Sequence, residues 1–470
     1  MIWNDWKKGV FAAAKKQKKP ILLSISAKWC HWCHTMDRLA YVNHDVVDFI
    51  ENHFVPVRVD TDQRPDINER YNVGGWPSTL VLAFDGEPVS AATYVAPEHM
   101  VSFLEDALRR FGSYKSVKTH KQKRLVVDVA QDEFYGLIKS FFDPVNGGFG
   151  LEPKFPHHDI LEYVSWRSIQ LHDVHAKSML DRTLLAMMHG EFFDSVGGGF
   201  FRYATLQNWT IPHFEKMLED NARLLEAYVR GYQLFKRQEY LTVVNKTLFF
   251  LFTMLYDKES GLFFASQDAD EEYCSLPIER RLKARGPFVD RTFFTDWNAA
   301  MAIALMTVGE IEEEYVPIGL RVLESLYEKV IRGGVAHSVT VETPAYFLKD
   351  AVYLLLALVH AFKVTNKLEW KAKALTVLKY VEKFYDKKQG GFYDILASKD
   401  SFGRLKERKM PVHENACLAL VLKSLAEITK EKKYLVMAQK SLDAVSQDAL
   451  ALGAYAATYA LAVLQSRRLN

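Results

Sequence analysis

Two cysteines set one helical turn apart are the clearest chemical feature of this sequence. Cys30 and Cys33 form a CxxC pair in the segment WCHWCH, directly after the apolar run ILLSIS. A thiol at the start of a helix feels the positive end of the helix dipole, which favours its thiolate form. We therefore expect Cys30 to be the nucleophile and Cys33 the resolving thiol of a thiol–disulfide exchange reaction. The other two cysteines, Cys274 and Cys417, stand alone and are expected to be ordinary thiols.

A tryptophan–proline pair further along the chain agrees with this interpretation. Trp76 and Pro77 lie in the segment GGWPS, just before the apolar run TLVLAF. In a thioredoxin-like fold a cis-proline occupies this place and faces the two cysteines. Both residues are therefore predicted to contact the substrate of the thiol pair.

Two other kinds of chemistry also use a CxxC pair. The order Cys-x-x-Cys-His matches a c-type haem attachment motif, but haem attachment requires export and a helical fold that buries the haem. A zinc site would combine the two cysteines with His31, His34 or His44, although the sequence has no second CxxC. Zinc stays open as an alternative, while the favoured interpretation has no metal and no other cofactor.

The segments around the thiol pair alternate between strand and helix patterns. Short runs rich in β-branched residues predict four strands, at residues 21–26, 54–60, 79–84 and 88–94. Helical periodicity at 45–52 and 98–111 predicts helices between and after them. Residues 1–111 are therefore predicted to form a small α/β domain of the thioredoxin-like class. Residues 112–125 carry five Lys or Arg and no acid, which indicates a solvated linker.

One loop motif recurs through residues 126–470, which are otherwise helical in pattern. It consists of an Asp followed four residues later by Gly-Gly-Phe or a variant, at Asp143, Asp194, Asp257 and Asp386, with weaker copies near Gly333 and Gly453. The glycines permit a left-handed backbone, and the aromatic residue can anchor the loop in the core. Five or six helical hairpins of unequal length predict a closed (α/α)6 barrel rather than an open solenoid.

Several longer segments resemble one known family, spermatogenesis-associated protein 20 and its bacterial and archaeal relatives. The resemblance is carried by CHWCHTMDRLAYVNHDVVDFIENHFVPVRVD, GGWPSTLVL, GGFGLEPKFP, GGGFFRYATLQNWTIPHFEKMLEDNA and SQDAD, and it covers nearly the whole chain. It implies a thioredoxin-like domain fused to a six-hairpin barrel related to N-acylglucosamine 2-epimerases and to some glycoside hydrolases. One departure is Phe201, which stands where the relatives carry the histidine of a GGGFHRY motif.

Polar residues gather where such a barrel opens. The loop after each Gly-Gly-Phe returns to an inner helix on one face, so residues soon after the glycines converge with the inner-helix starts. His213 is predicted to be the general acid or base at this opening. The predicted ligand-binding residues are Arg202, Trp209, Glu215, Asp220, Asn221, Asp268, Asp270, Asp296, Asn298 and Asp350. Any acid or amide near a helix start has a second interpretation, as an N-cap.

The chemistry at this opening depends on which side chains meet. Epimerisation would pair His213 with His337 or His413, because it needs bases on both faces of the acidic carbon. Glycoside hydrolysis would draw two carboxylates from Asp268, Asp270, Asp296 and Asp350.

The favoured function is a thiol–disulfide redox domain fused to a barrel that binds a small sugar-like ligand, with disulfide-bearing proteins as further partners. The alternatives are a sugar isomerase or epimerase with a regulatory CxxC domain, and a non-catalytic scaffold. Lys plus Arg number 60 and Asp plus Glu 58, a net charge of +2, so we expect no nucleic-acid or membrane partner. No segment is typical of a signal peptide or membrane span, so a cytoplasmic location is expected.

Overall fold

The computed structural model of the protein describes residues 2–116, 126, 131–340 and 344–466. The chain forms two compact units, the first from Met1–Lys123 with Ile395–Lys409 and the second from Arg124–Asp394 with Met410–Asn470. The predicted basic linker, 112–125, lies largely outside the described residues. Its described part includes Tyr114, whose hydroxyl donates a hydrogen bond to Asp85 at 3.0 Å.

The first unit is built on a four-stranded sheet in the spatial order β2-β1-β3-β4. Its strands are β1 (Ile21–Ser26), β2 (Val55–Asp60), β3 (Ser78–Leu82) and β4 (Pro88–Ala92). Its helices are α1 (Lys8–Gln17), α2 (His31–Leu39), α3 (His44–His53), α4 (Pro65–Tyr71) and α5 (Pro97–Ser113). β1 runs parallel to β2 and antiparallel to β3, and its first five residues are all buried, as suits a central strand. The predicted thioredoxin-like fold is confirmed.

Residues 395–409 reach the first unit from a distant part of the chain. Phe402 packs against Phe11, with ring centroids 3.9 Å apart. The Tyr71 hydroxyl accepts a hydrogen bond from the backbone N–H of Arg404 at 2.9 Å and donates one to the Gly86 carbonyl at 2.9 Å. The prediction that all of residues 126–470 belong to the barrel is therefore corrected for this segment, because its packing partners are α1 and α4.

Among its described residues, the second unit has six outer and six inner helices, besides shorter elements. The outer helices are α6 (Gln131–Phe141), α8 (Val174–His189), α10 (Gln238–Phe250), α14 (Tyr315–Val330), α16 (Leu368–Val381) and α18 (Lys433–Leu452). The inner helices are α7 (His158–Gln170), α9 (Leu218–Phe235), α13 (Thr295–Val308), α15 (Leu348–Thr365), α17 (Val412–Thr429) and α19 (Ala457–Ser466). Two short helices, α11 (Glu271–Cys274) and α12 (Ile278–Arg281), lie between α10 and α13.

The inner helices form a closed ring. Each contacts the next in the order α7, α9, α13, α15, α17, α19, and α19 contacts α7 again. α13 is buried at every position except Ile303, because a helix within two packed layers is apolar on all sides. This arrangement confirms the predicted (α/α)6 barrel.

The loops that lead into two of the inner helices, α9 and α13, contain short strands. They are β5 (Tyr203–Ala204), β6 (Pro212–His213), β7 (Lys216–Met217), β8 (Tyr256–Asp257), β9 (Leu262–Phe263), β10 (Ser266–Gln267) and β11 (Val289–Asp290). β5 pairs with β6, β8 pairs with β9, and β7, β10 and β11 form a three-stranded sheet in the order β11-β10-β7.

Each repeated Asp closes its own loop. One carboxylate oxygen of Asp143, Asp194 and Asp386 accepts the backbone N–H groups two and three residues further on. The first glycine of the motif then adopts a left-handed backbone, with φ of +78° at Gly198 and +88° at Gly390. The loop thus reverses the chain between an outer helix and the next inner helix.

A buried asparagine on the following inner helix holds three of these loops. The Asn221 side-chain oxygen accepts the N–H of Phe200 at 2.7 Å, and its amide nitrogen donates to the Phe200 carbonyl at 3.0 Å. Asn298 and Asn415 make the same two bonds to the aromatic residues of their loops. Each amide also donates to the carbonyl four residues earlier. We call these three residues the asparagine latches.

One stretch of the second unit, Lys433–Ser466, has the length and composition of a membrane-spanning helix. The chain turns at Gly453, where φ is +59°, so the stretch divides into α18 and α19. About half of its most apolar window (50%) is buried inside the protein, as expected for helices that form a barrel wall.

Candidate functional sites

The thiol pair lies at the start of α2. The Cys30 sulfur accepts the backbone N–H of Cys33 at 3.2 Å, and both residues are buried. The Trp76–Pro77 peptide bond is cis, as predicted. The Trp76 ring packs edge-to-face on Trp29, with centroids 5.4 Å apart. The structure therefore brings the CxxC segment and the tryptophan–proline segment together.

The contact between the two thiols affects the pKa of Cys33. The hydrogen bond with Cys30 lowers the pKa of Cys33, and burial opposes this effect. The Cys33 N–H bond, in contrast, stabilises negative charge on Cys30. The two thiols therefore interact directly, and Cys30 stays the predicted nucleophile because its sulfur accepts the N–H at the helix start.

Two of the three histidines named for the zinc alternative have other partners. Nε2 of His34 lies 2.7 Å from the Lys28 carbonyl oxygen, and Nδ1 of His44 lies 3.2 Å from an Asp48 carboxylate oxygen. Among the residues that the structure describes, three or more metal-ligating side chains come together only in the second unit. Two of the three histidines of the zinc alternative are thus engaged elsewhere, and zinc at the CxxC pair stays an untested alternative.

A charged residue occupies the second position of five inner helices. We call these residues, Asp159, Glu219, Asp296, Lys349 and His413, the charged ring. The Lys349 ammonium lies 2.9 Å from Asp296 and 3.1 Å from Glu219. Nδ1 of His413 lies 3.1 Å from Asp159. Because the repeat places each residue one step inside its helix, all five lie at the same end of the barrel.

The charged ring is partly exposed to solvent, and two of its side chains are positively charged. The Asp159 and Lys349 side chains are each 33% exposed, and that of His413 is 28% exposed. Burial by itself lowers the pKa of Lys349, but Asp296 and Glu219 raise it well above its ordinary value. Burial also lowers the pKa of His413, but Asp159 outweighs this effect and raises the pKa well above its ordinary value. Both side chains therefore carry positive charge at neutral pH.

A buried histidine–carboxylate pair adjoins the charged ring. Nδ1 of His337 lies 2.9 and 3.0 Å from the two carboxylate oxygens of Asp350. Burial raises the pKa of Asp350 to about 6, although His337 lowers it. Ligand atoms of Asp296, His337 and Asp350 lie within 4.8 Å of one another, a spacing suited to a metal ion. The Lys349 ammonium already balances the charge of Asp296, so we assign no metal to this group.

Four predicted ligand-binding residues have a structural role. Asn221 and Asn298 are asparagine latches, fully buried, with their amides bonded to the backbone. Trp209 is fully buried, and its indole N–H donates to the Asn146 carbonyl at 3.2 Å. Asp270 caps α11, as the alternative interpretation predicted. The predictions for Asn221, Asn298 and Trp209 are corrected, because these buried side chains already use their polar groups inside the protein. The prediction for Asp270, which is partly exposed, stays a prediction.

His213, the predicted acid or base, belongs to a cluster on the β5–β6 hairpin. Its ring stacks on Tyr203 with centroids 4.3 Å apart, and Nδ1 lies 3.8 Å from the buried Glu215. The Arg202 guanidinium lies 5.8 Å from the centre of the same Tyr203 ring. The His213 side chain is 36% exposed, so it can meet a ligand.

Of the remaining predicted acids, Asp220 and Asp350 adjoin residues of the charged ring, and Asp268 lies on the loop before α11. Asp220 follows the ring residue Glu219 and lies 2.9 Å from Nε2 of His158. Asp350 follows the ring residue Lys349. Asp268 lies before α11 and accepts the N–H of the next residue at 2.8 Å. Glu219 and Lys349 were not among the predicted site residues, and the available signal was their shared position in the first turn of an inner helix.

A cavity of about 510 Å³ lies between the inner helices. Polar side-chain atoms that line it lack a hydrogen-bond partner among the described residues, in His158, Ser165, Thr307, His360 and Thr458. Buried polar groups in proteins are normally paired. The cavity is therefore suited to polar contents, either water or a ligand.

Comparison with known sequences supports the two-part organisation. Residues 1–128 match the family model Thioredox_DsbH, described as "Protein of unknown function, DUF255". Over 305 residues, 57% of the chain, the sequence is 32% identical to spermatogenesis-associated protein 20 of Homo sapiens. That match covers 39% of the human protein, so the chain spans about two fifths of the length of the curated relatives it matches. The resemblance found in the sequence is thereby confirmed.

Comparison with solved structures supports the barrel. Cellobiose 2-epimerase from Spirochaeta thermophila matches 72% of this chain and 93% of its own, with a TM-score of 0.57 and 14% identity. A GH76 α-mannanase from Bacteroides thetaiotaomicron matches 72% of this chain and 96% of its own, with a TM-score of 0.52 and 13% identity. At such identities the likeness shows the (α/α)6 fold alone.

Proposed function

We propose that the first unit catalyses thiol–disulfide exchange with Cys30 as the nucleophile. The observation that carries the proposal is the N–H of Cys33 bonded to the Cys30 sulfur at the start of α2. This bond stabilises the thiolate that attacks a substrate disulfide. Cys33 then attacks the mixed disulfide, forms a bond to Cys30 and releases the substrate as a thiol. Proteins that carry a disulfide are the substrate class.

Disulfide reduction in insulin tests this role. Cys30→Ser should abolish turnover, and Cys33→Ser should accumulate a mixed disulfide with the substrate. Cys274→Ser is the matched control, since that thiol lies in the second unit and should leave turnover unchanged. A wild-type protein that shows no dithiol cycling would contradict the proposal.

A second proposed function belongs to the barrel, which we infer binds a small sugar-like ligand at the charged ring. The favouring observation is that the ring combines carboxylates, an ammonium and an imidazole, partly exposed, at one end of a closed barrel. Hydroxyl groups of a polyol can pair with such donors and acceptors. The epimerase and the mannanase that share the fold are named for their action on sugars.

Calorimetric titration with a panel of mono- and disaccharides tests this second role. Glu219→Gln and Lys349→Met should each weaken binding at least about tenfold, the usual effect of removing a charged hydrogen-bonding partner. Glu239→Gln, on the exposed face of α10, should bind as the wild type does. If His213→Ala alone removes binding, the site lies on the β5–β6 hairpin instead. If no sugar binds, the barrel is better interpreted as a scaffold.

A further inference from the structure

A chain of contacts in the second unit joins Cys417 to His413 and His413 to Asp159. The Cys417 sulfur lies 3.4 Å from Nε2 of His413, and Nδ1 of the same imidazole lies 3.1 Å from an Asp159 carboxylate oxygen. His413 and Cys417 are one turn apart near the start of α17, and Asp159 is in the first turn of α7. A nucleophile, a base and a group that orients the base follow this order in thiol-dependent enzymes.

The thiol opens onto a space that can hold a ligand. Cys417 lines the cavity of about 510 Å³, a volume within the range of small-molecule sites. The hydroxyls of Thr458 and Ser165 line the same cavity, are 3% and 5% exposed, and have no partner among the described residues. These hydroxyls are an observation independent of the thiol, and they favour a polar ligand.

We propose that Cys417 is the nucleophile of a covalent site for a small aldehyde or ketone bound in this cavity. Disulfide exchange is disfavoured, because Cys274, the other cysteine of the second unit, does not line the cavity and cannot act as a resolving thiol there. Addition to a carbonyl carbon needs only a thiolate and a proton donor, and His413 serves both steps.

The reaction is an addition in which no group leaves. Asp159 holds His413 as an imidazolium whose Nε2–H faces the Cys417 sulfur, so the thiol gives its proton to water and the thiolate that forms is stabilised by the adjacent positive charge; the imidazole regains a proton from water at the end of the reaction. The sulfur then forms a bond to the carbonyl carbon, and the π electron pair moves to the carbonyl oxygen. The proton on Nε2 transfers to that oxygen, which gives a hemithioacetal without any oxidant or reductant. The Tyr353 hydroxyl, 3.1 Å from Nε2, holds the imidazole in position.

Alkylation of the full-length protein with iodoacetamide, followed residue by residue with peptide mass spectrometry, tests the proposal. Cys417 should be labelled in the folded protein, and His413→Gln should slow this labelling at least about tenfold. Asp159→Asn should slow it less, while His175→Gln, which changes an exposed histidine of α8, should not slow it. Cys417→Ser identifies the labelled peptide, and a thermal melt of each variant verifies folding.

Glycolaldehyde is the carbonyl probe, and it needs no variant. It should slow the labelling of Cys417 in the wild type and leave that of Cys274 unchanged. Absence of labelling at Cys417, or an unchanged rate in folded His413→Gln, would overturn its activation. An unchanged rate with glycolaldehyde would overturn the carbonyl class. Although His413 and Asp159 also belong to the charged ring, labelling of Cys417 is measured without sugar, so this proposal and sugar binding at the ring can fail separately.

Discussion

Glu226 is a carboxyl group whose pKa is raised by the low polarity of the barrel interior. It lies on α9 and lines the cavity between the inner helices. Burial raises its pKa from 4.5 to about 7, and Arg223 offsets only part of this effect. The folded state therefore holds the Glu226 proton more tightly than the unfolded state does. Stability from this residue is complete below the unfolded pKa and is lost as the pH rises through the folded pKa.

Replacement of Glu226 by glutamine should remove this pH dependence. At about pH 8 we expect Glu226→Gln to raise the free energy of unfolding by about 1–3 kcal/mol, less than the full shift implies because the cavity can admit water. At about pH 4 the variant and the wild type should be equally stable. Urea unfolding at both pH values measures the difference, with Glu239→Gln as an exposed control. An equal gain at both pH values would contradict the assignment.

The site residues that the sequence could predict are those with a local signature. The CxxC pair is local, so its place at a helix start followed from the residues around it. The charged ring depends on helix phase, and one residue along an α-helix turns the side chain by about 100°. Asp296 was therefore found, whereas Asp220 and Asp350 were chosen in place of their neighbours Glu219 and Lys349.

The asparagine latches tie the elements of the barrel together, because each joins an inner helix to the loop before it. Asn415 accepts the N–H of Phe392 at 2.8 Å and donates to the carbonyls of Phe392 and Pro411 at 2.9 and 2.8 Å. The residue is fully buried, so water cannot replace these bonds. The latch therefore holds the loop backbone in the position that lets the Phe392 side chain pack in the core.

Loss of one latch should weaken the whole barrel. Asn415→Ala leaves a buried N–H and a buried carbonyl without partners, and we expect a loss of about 2–4 kcal/mol in the free energy of unfolding. Asn208→Ala, in an exposed loop, removes an amide of the same kind and should cost less than about 1 kcal/mol. Denaturant unfolding of the two variants gives the comparison. Equal effects would mean that the latch has no special role.

The place of segment 395–409 in the first unit could not be predicted from the sequence. Its sequence, ILASKDSFGRLKERK, is mostly polar and has no strand or helix periodicity. Its partners α1 and α4 are separated from it by more than 300 residues, as in the Arg404–Tyr71 bond with a separation of 333. Gly403 has a φ of +55°, and a Cβ there would lie 2.3 Å from the Tyr71 hydroxyl, so glycine fits this close approach. Such complementarity appears only once the chain is folded.

The second unit depends on closure of the inner ring for its stability. The repeat predicted the closure, because each helical hairpin has an apolar face that only a neighbouring hairpin can cover. α19 is the last inner helix, and it contacts both α17 and α7. Most of its residues are buried, including Tyr459, Leu461 and Leu464. The final hairpin therefore covers apolar surface that belongs to the first hairpin and to the fifth.

Removal of residues 433–470 should open the ring and test this account. The truncated chain lacks α18 and α19, so the faces of α7 and α17 that they cover become exposed to water. We expect aggregation, or loss of the cooperative calorimetric transition of the barrel, since exposure of apolar surface costs about 25 cal/mol per Å². Insulin reduction is the internal control, because Met1–Lys123 and Ile395–Lys409 remain present. A monomeric truncated protein with an undiminished cooperative transition would show that the barrel does not depend on closure.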